Sequence, residues 1–556
     1  MTAPEATPPI GTRVREATVL AIVTGAVTGL AVALFDRAIR DETFDRLLDA
    51  PLWVQAIGPA VGLLIATVLL RTWGRGTPSA TADEYIRNFH DAEQRLDLSP
   101  AGPRLAASAA TLGSGAAMGF EGPSIYIGAV AGSWLQRTFS RFFGRADSKM
   151  LLVCGAAAGV AAIFKAPATG VVFALEVPYR QDLARRMLLP TMFSAAASYV
   201  VFAAINGTTP LFPISGAPPF DLRDLGGAAL LGLVCGGSAR LFAIGLRAAK
   251  HAVVRYPAWL RLTVSAVSLV SVFVACRVLT GESLVIGSGY NAIAWSLEPN
   301  HAIGTVLAVF LLRAAATTIA VGGGGVGGLF IPLVVQGAVM GSAMNLVVHA
   351  QGDMTLFPLL GVAAFLGAGY RVPLAAVVFV AETTGRPAFV VPALIAAATS
   401  QVLMGRLSVS EYQQDTRTGA LERRLAEPVT AALRTDAAVV PPDATVAELY
   451  DHHILELRQR IVPVVDGASY WGMVALDDVL QLSRDEWATT PVSRLVREEW
   501  PRGEVRWTLA EAMAAMEAGD VDRLPVLDGE MFVGVVTTGE ILKLGAIIDS
   551  VNERKP

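Results

Sequence analysis

The sequence predicts an all-α polytopic membrane domain made of two repeated halves with broken helices, followed by a soluble α/β tail. Three observations carry that prediction. Of 556 residues, 53% are hydrophobic and only 17% charged, with mean hydropathy +0.51, whereas soluble domains carry about 25% charged residues. Apolar stretches of spanning length recur along the first 400 residues. Near residue 405 the composition breaks into charged, alternating segments with no spanning stretch.

In chain order, the polar residues 1–16 predict a disordered N-terminal tail. The apolar stretch 17–36 is too long for a signal h-region and lacks an Ala-x-Ala site, so it predicts a retained helix. Further stretches fall at 53–71, 104–118, 149–176, 187–205, 226–247, 262–279, 302–321, 327–349, 356–370 and 373–404. At roughly 20 residues per span this is a multi-pass protein, and several stretches are long or Gly/Pro-interrupted enough to hold two helices. The membrane domain covers 17–405, with halves at 17–206 and 226–405, and 406–424 is the linker. The tail comprises units at 425–487 and 488–548, then a terminal stretch 549–556. Clusters at Arg137, Arg141 and Arg145 and at Arg180, Arg185 and Arg186 mark cytosolic loops.

A net charge of −4 with interleaved signs offers no nucleic-acid surface. Cys154, Cys235 and Cys276 lie in apolar runs, as packed hydrophobes do, and are not spaced as disulfides or metal ligands. The absence of Cys/His metal spacing, a Walker loop or a nucleophile elbow points away from the common enzyme classes.

The halves repeat. Lys165-Ala-Pro167 through Val-Val-Phe173 to Glu176 matches Arg371-Val-Pro373 through Val-Val-Phe379 to Glu382 at an offset of 206. Glu121-Gly-Pro123 through Gly128-Ala129 matches Phe330-Ile-Pro332 through Gly337-Ala338 at 209. Two matched pairs at nearly one spacing indicate a duplication of about 200 residues.

Glu121 is a carboxylate inside an apolar, glycine-rich tract, and acids in membrane-buried segments are costly and usually functional. Gly119, Gly122 and Pro123, and likewise Gly322 through Pro332, can stop one helix and start another, leaving free N–H groups. Broken segments at matching places in duplicated halves point to a transport site between them. Helix N-termini there form an anion site, weak enough for release because neither motif holds Lys or Arg.

Gly119-Phe120-Glu121-Gly122-Pro123 resembles the Gly-Lys/Arg-Glu-Gly-Pro motif of the CLC chloride channel and exchanger family. Gly327-Gly-Leu329-Phe330-Ile-Pro332 resembles its Gly-Gly-Ile-Phe-x-Pro motif, and Gly287-Ser-Gly-Tyr290 and Pro210-Leu-Phe-Pro-Ile-Ser share its character. The resemblance spans about residues 15 to 550 and implies an inverted repeat of tilted, broken helices, a homodimer and one pore per subunit. It implies that Glu121 is the gate, competing with chloride. Gly119, Phe120, Gly122, Leu329 and Phe330 would line the anion path through their backbone.

The chain departs from the family pattern in several places. The chloride-coordinating Ser motif is replaced by Pro78-Ser79-Ala-Thr81, so Ser79 or Thr81 would supply the hydroxyl. Phe120 stands where a basic residue is usual, implying a less positive vestibule and slower anion capture. Val177 follows Glu176 where many proton-coupled members carry an acid, so protons reach Glu121 by water or the protein is an uncoupled channel. Glu176 and Glu382 themselves predict helix-end caps or salt partners. Tyr412 is the nearest candidate for the family's inner Tyr gate, and reads equally as a loop residue of the linker.

The tail is a second duplication. Val462-Pro463 through Asp466 and Leu524-Pro525 through Asp528 lie 62 apart, as do Gly472 through Asp478 and Gly534 through Glu540. Each unit predicts helix, strand, strand, helix, resembling a CBS-domain pair. In such pairs a Thr/Ser and an acid hold an adenosine ribose: here Thr537 and Glu540, and Asp478 with Ala475 in the Thr place. The pattern fits a purely structural pair as well as an adenine-nucleotide sensor.

Together these features predict an integral, multi-pass, non-enzymatic carrier of chloride and protons in the cell membrane, with a cytosolic regulatory tail. A gated chloride channel is the near alternative, and nitrate preference stays open. A CBS-containing cation transporter would need carboxylate clusters or carbonyl rings in the spans, and a membrane enzyme a convergent acid/base/nucleophile set.

Overall fold

The computed structural model describes residues 10–91, 96–139, 149–209, 211–212, 221–298, 301–348, 355–416, 425–497 and 499–542. Two compact units separate at Arg417/Thr418. The first is helical: α1 (Ile10–Ile39), a π-helical turn Arg40–Phe44, α2 (Asp45–Leu48), α3 (Leu52–Thr72), α4 (Ala82–His90), α5 (Ala101–Gly113) and α6 (Glu121–Thr138). Then come α7 (Met150–Phe164), α8 (Pro167–Glu176), α9 (Leu188–Asn206), α10 (Leu222–Arg255), α11 (Ala258–Thr280) and α12 (Tyr290–Ser296). The unit closes with α13 (Ile303–Gly322), α14 (Phe330–Val348), α15 (Leu356–Tyr370), α16 (Pro373–Thr384) and α17 (Val390–Met404). Eight of the described helices are long and apolar enough to cross a membrane, and α7, α8, α15 and α16 are shorter apolar helices.

The stretches 149–176 and 373–404 each form two helices, broken at Lys165-Ala166 and near Gly385. Proline opens α8 and α16, where its missing N–H costs nothing. Lys165 and Arg371, 206 apart, both adopt left-handed backbone, at φ 52° and 57°.

The halves are held together as an inverted repeat. Glu176 accepts from the amides of Leu374 and Ala375 at the start of α16, at 3.1 and 2.8 Å. Its counterpart Glu382 accepts from Ala168 and Thr169 at the start of α8, at 2.9 and 2.8 Å. Each acid therefore caps a helix of the other half, satisfying amides left over at a helix start. Within each half the helices touch through glycine. A Cβ on Gly128 would strike the Gly155 carbonyl, and one on Gly337 the Gly361 carbonyl, so α6 against α7 and α14 against α15 pack backbone to backbone.

Several boundaries differ from the sequence expectation. The first helix starts at Ile10, so the chain is already helical over 10–16. The short helices α4 and α12 lie outside the apolar stretches. Residues 406–416, taken as the head of a linker, are built into the membrane unit. Val409 donates to Gly369 O at 2.9 Å, and Gln413 Nε2 to Val177 O and Tyr370 O at 2.8 and 2.7 Å. Residues 1–9, Arg141, Arg145, Pro210, 213–220, 417–424 and 543–556 lie outside the described residues.

The second unit holds one five-stranded sheet in the order β1-β2-β5-β4-β3, with β1 Ile461–Asp466, β2 Ser469–Ala475, β3 Gly503–Glu504, β4 Arg523–Asp528 and β5 Met531–Thr537. The β1/β2 and β4/β5 hairpins are antiparallel, and their registers shift at Val464/Val465 and Val526/Leu527, one repeat apart. Thr445 and Thr508 cap the helical segments before the two hairpins through reciprocal bonds with Glu448 and Glu511.

Candidate anion site

Gly119 and Gly328 exchange both backbone hydrogen bonds, so the two glycine breaks meet and their following helices, α6 and α14, start side by side. Glu121 is the first residue of α6 and is fully buried. Its Oε1 accepts from the Phe330 amide at 2.5 Å, and the amides of Ile331 and of Glu121 itself converge on the same carboxylate. The acid thus occupies the positive ends of two helices. Oε2 is buried without a hydrogen-bond partner among the described residues. A half-satisfied buried carboxylate forgoes about 1–3 kcal/mol per missing bond, so the berth holds Glu121 without locking it.

The ring of Phe330 sits among Phe164, Phe379 and Phe173, with centroids at 4.5, 5.0 and 5.3 Å. Phe173 and Phe379 are the phenylalanines of the repeated Val-Val-Phe motif, so the duplication supplies two walls of one aromatic box. That box fixes the start of α14 and aims its amides.

Thr81 is buried, and its hydroxyl donates to Gly327 O at 3.3 Å. Gly122 faces this hydroxyl closely, so Thr81 stands between the two glycine breaks. Ser79 lines a cavity of about 530 Å³ together with Thr81, Leu329, Tyr370, Lys250 and Tyr412. Of the two hydroxyls weighed from sequence, Thr81 is the one brought among the breaks. Tyr412 is 43% exposed on the cavity wall. The tyrosine brought to the berth is instead Tyr370, fully enclosed at the end of α15, with its hydroxyl facing the Leu329 amide. Tyr370 was not singled out from sequence. Its neighbour Arg371 marks the repeat, and the residue just before the repeated motif was the available signal.

Val177 is buried, and the Glu176 beside it is spent on its cap. Among the described residues no group of three His, Cys, Asp or Glu could hold a metal ion. In the second unit Asp478 accepts from Ala475 N at 3.0 Å and from Arg497 Nη2 at 2.6 Å. Thr537 accepts from the Glu540 amide at 3.2 Å.

Residues 61–405 match the family described as voltage gated chloride channel, and residues 429–485 and 504–546 match the CBS domain. The chain belongs to the voltage gated chloride channel, or CLC, family. It is 26% identical over 397 residues to the H(+)/Cl(-) exchange transporter ClcA of Yersinia pseudotuberculosis, covering 68% of this chain and 82% of that one. Its fold resembles the crystal structure of a slow cyanobacterial Cl-/H+ antiporter, with TM-score 0.61 and 22% identity over 72% of this chain and 95% of that one. A eukaryotic CLC transporter gives TM-score 0.60 at 16% identity, over 95% of this chain and 98% of that one. The CLC fold and the integral membrane domain are therefore common ground between this chain and these relatives, and this chain carries its two CBS domains after the membrane domain.

Proposed function

We propose that this CLC protein carries chloride across the membrane in exchange for protons, with Glu121 as the gate. The observation that carries this reading is the Glu121 carboxylate seated on the Phe330 amide between two helix starts. A site that binds a carboxylate through amides binds chloride by the same means, so acid and halide compete. Protonating Glu121 removes its claim on the amides and frees the berth. Tyr370 adds a hydroxyl on the cavity side, the Thr81 hydroxyl can turn from its 3.3 Å bond to Gly327 O toward an anion, and Leu329 and Phe330 add amides. The kinship with an exchange transporter supports proton coupling.

Proteoliposomes under a chloride gradient provide the test: uphill proton movement is expected, and its absence with chloride flux intact would leave a gated channel. Val177 is the observation that favours that second reading, since no acid stands there to relay protons. The functional unit we propose is a homodimer with the CBS pair in the cytosol, and cross-linking in native membranes tests it. For the tail, the capping and ion-pair geometry of Asp478 favours a structural pair over a nucleotide sensor.

A further inference from the structure

Phe120 stands where the family resemblance puts a cation directly before the gate, and the fold brings a cation to that ring from another helix. Arg40 opens the π-helical turn after α1, a kind of interruption frequent at functional sites. Its guanidinium carbon lies 5.4 Å from the centre of the Phe120 ring and 5.8 Å from that of Tyr290. Phe120 is buried and braced edge-on by Phe35, with centroids 6.5 Å apart. Asp36 holds the guanidinium at 2.9 Å, yet the Arg40 side chain stays 33% exposed against 7% for Asp36. The fork is thus fixed on one side and open on another. An arginine suits this place, being planar, weakly hydrated and able to lie on aromatic faces.

The surroundings are mixed in charge. Lys165 donates through Nζ to Asn206 O and Thr209 O, at 3.0 and 3.4 Å, and is felt at Asp36 and Arg40. Asp41 and Asp45 also lie near Asp36. Bulk positive potential is therefore not what Arg40 offers; it offers one positioned fork. Arg40 rests on Phe120, the residue directly before Glu121, so the guanidinium lies beside the segment that carries the gate.

We propose that Arg40, seated on Phe120 and Tyr290, is the landing point where a halide binds before it takes the berth of Glu121. This rests on the anion-transport reading above. A positioned guanidinium offers a halide one charge-assisted contact at the mouth, and losing one such contact lowers apparent affinity by about tenfold. The probe is chloride flux from proteoliposomes, measured against chloride concentration and ionic strength. Arg40→Gln is expected to raise the half-saturating chloride concentration roughly tenfold, with the maximal rate little changed and the ionic-strength dependence flattened. Arg40→Lys should retain that dependence. For Arg40→Cys, a cationic thiosulfonate reagent should restore capture and an anionic one depress it further. The native Cys154, Cys235 and Cys276 are buried, so the reagent reports on position 40. Wild-type half-saturation in Arg40→Gln, or equal effects of the two reagents, would overturn the proposal. No chloride flux from the unaltered protein would instead overturn the anion reading beneath it.

Discussion

Gly119 N–H donates to Gly328 O at 2.9 Å, and Gly328 N–H returns the bond to Gly119 O at 2.7 Å. The two residues are 209 apart, the repeat offset itself, so the local two-fold of the duplication passes between them. A side chain at either position would press on the Glu121 carboxylate. The chain breaks that start α6 and α14 are therefore also what lets the acid lie across both helix ends.

Replacing that acid separates gate from pathway. Glu121→Ala should leave chloride flux intact but independent of pH, with no proton movement. Glu121→Gln should behave as a permanently protonated gate and match it. Liposome flux across a range of pH reads both, and an unchanged pH response in either variant would refute the assignment.

Tyr370, not Tyr412, should matter for anion affinity. Removing one hydroxyl that faces a bound anion costs about 1.5 kcal/mol or more, roughly tenfold in affinity. Tyr370→Phe is expected to show that loss by halide titration calorimetry, while Tyr412→Phe stays near the parent. Equal losses would return the role to the exposed tyrosine.

Thr81→Ala should weaken halide binding more than Ser79→Ala does. Thr81 is buried between Gly122 and Gly327, whereas Ser79 lies on the cavity wall. Anomalous halide density in crystals of the two variants would rank them, and a larger loss in Ser79→Ala would reverse the assignment.

The reciprocal caps should appear as stability. Glu382→Ala strips Ala168 and Thr169 of their acceptor, and losing a cap costs about 0.5–2 kcal/mol. Thermal unfolding in detergent should shift downward for Glu382→Ala and Glu176→Ala alike. No shift in either would mean that water satisfies those helix starts.

In the tail, the Thr508 amide and then its hydroxyl hold the Glu511 carboxyl below the usual carboxylate range. A depressed folded-state pKa gives stability that is present above the unfolded value of about 4.3 and lost as pH falls through the folded value. Thr508→Ala removes the hydroxyl and keeps the amide, so it should lower tail stability at neutral pH and weaken this acid sensitivity without abolishing it. Parallel pH-stability curves for parent and variant would contradict it.

The duplication could be read from sequence because its marks are local. Glu121-Gly-Pro123, the two Val-Val-Phe runs and the two prolines opening α8 and α16 each announce themselves within a dozen residues. What Glu176 and Glu382 do was half visible, since capping follows from type and place, but not that each caps the other half. Tyr370 and Arg40 escaped because their partners, Leu329 and Phe120, lie far away along the chain. No period or motif encodes such a meeting. Residues 406–416 look like linker because their composition is polar, yet their hydrogen bonds fasten them to the membrane unit.

The exchanged caps also bear on how the chain is made. When the ribosome has delivered α8, Ala168 and Thr169 await an acceptor that is encoded 213 or more residues later. The first half thus enters the bilayer with a helix start unfinished, and translation must reach residue 382 before it is complete. Biogenesis of either half by itself is expected to end in quality control and degradation, while two separately translated halves present in one membrane should find and finish each other.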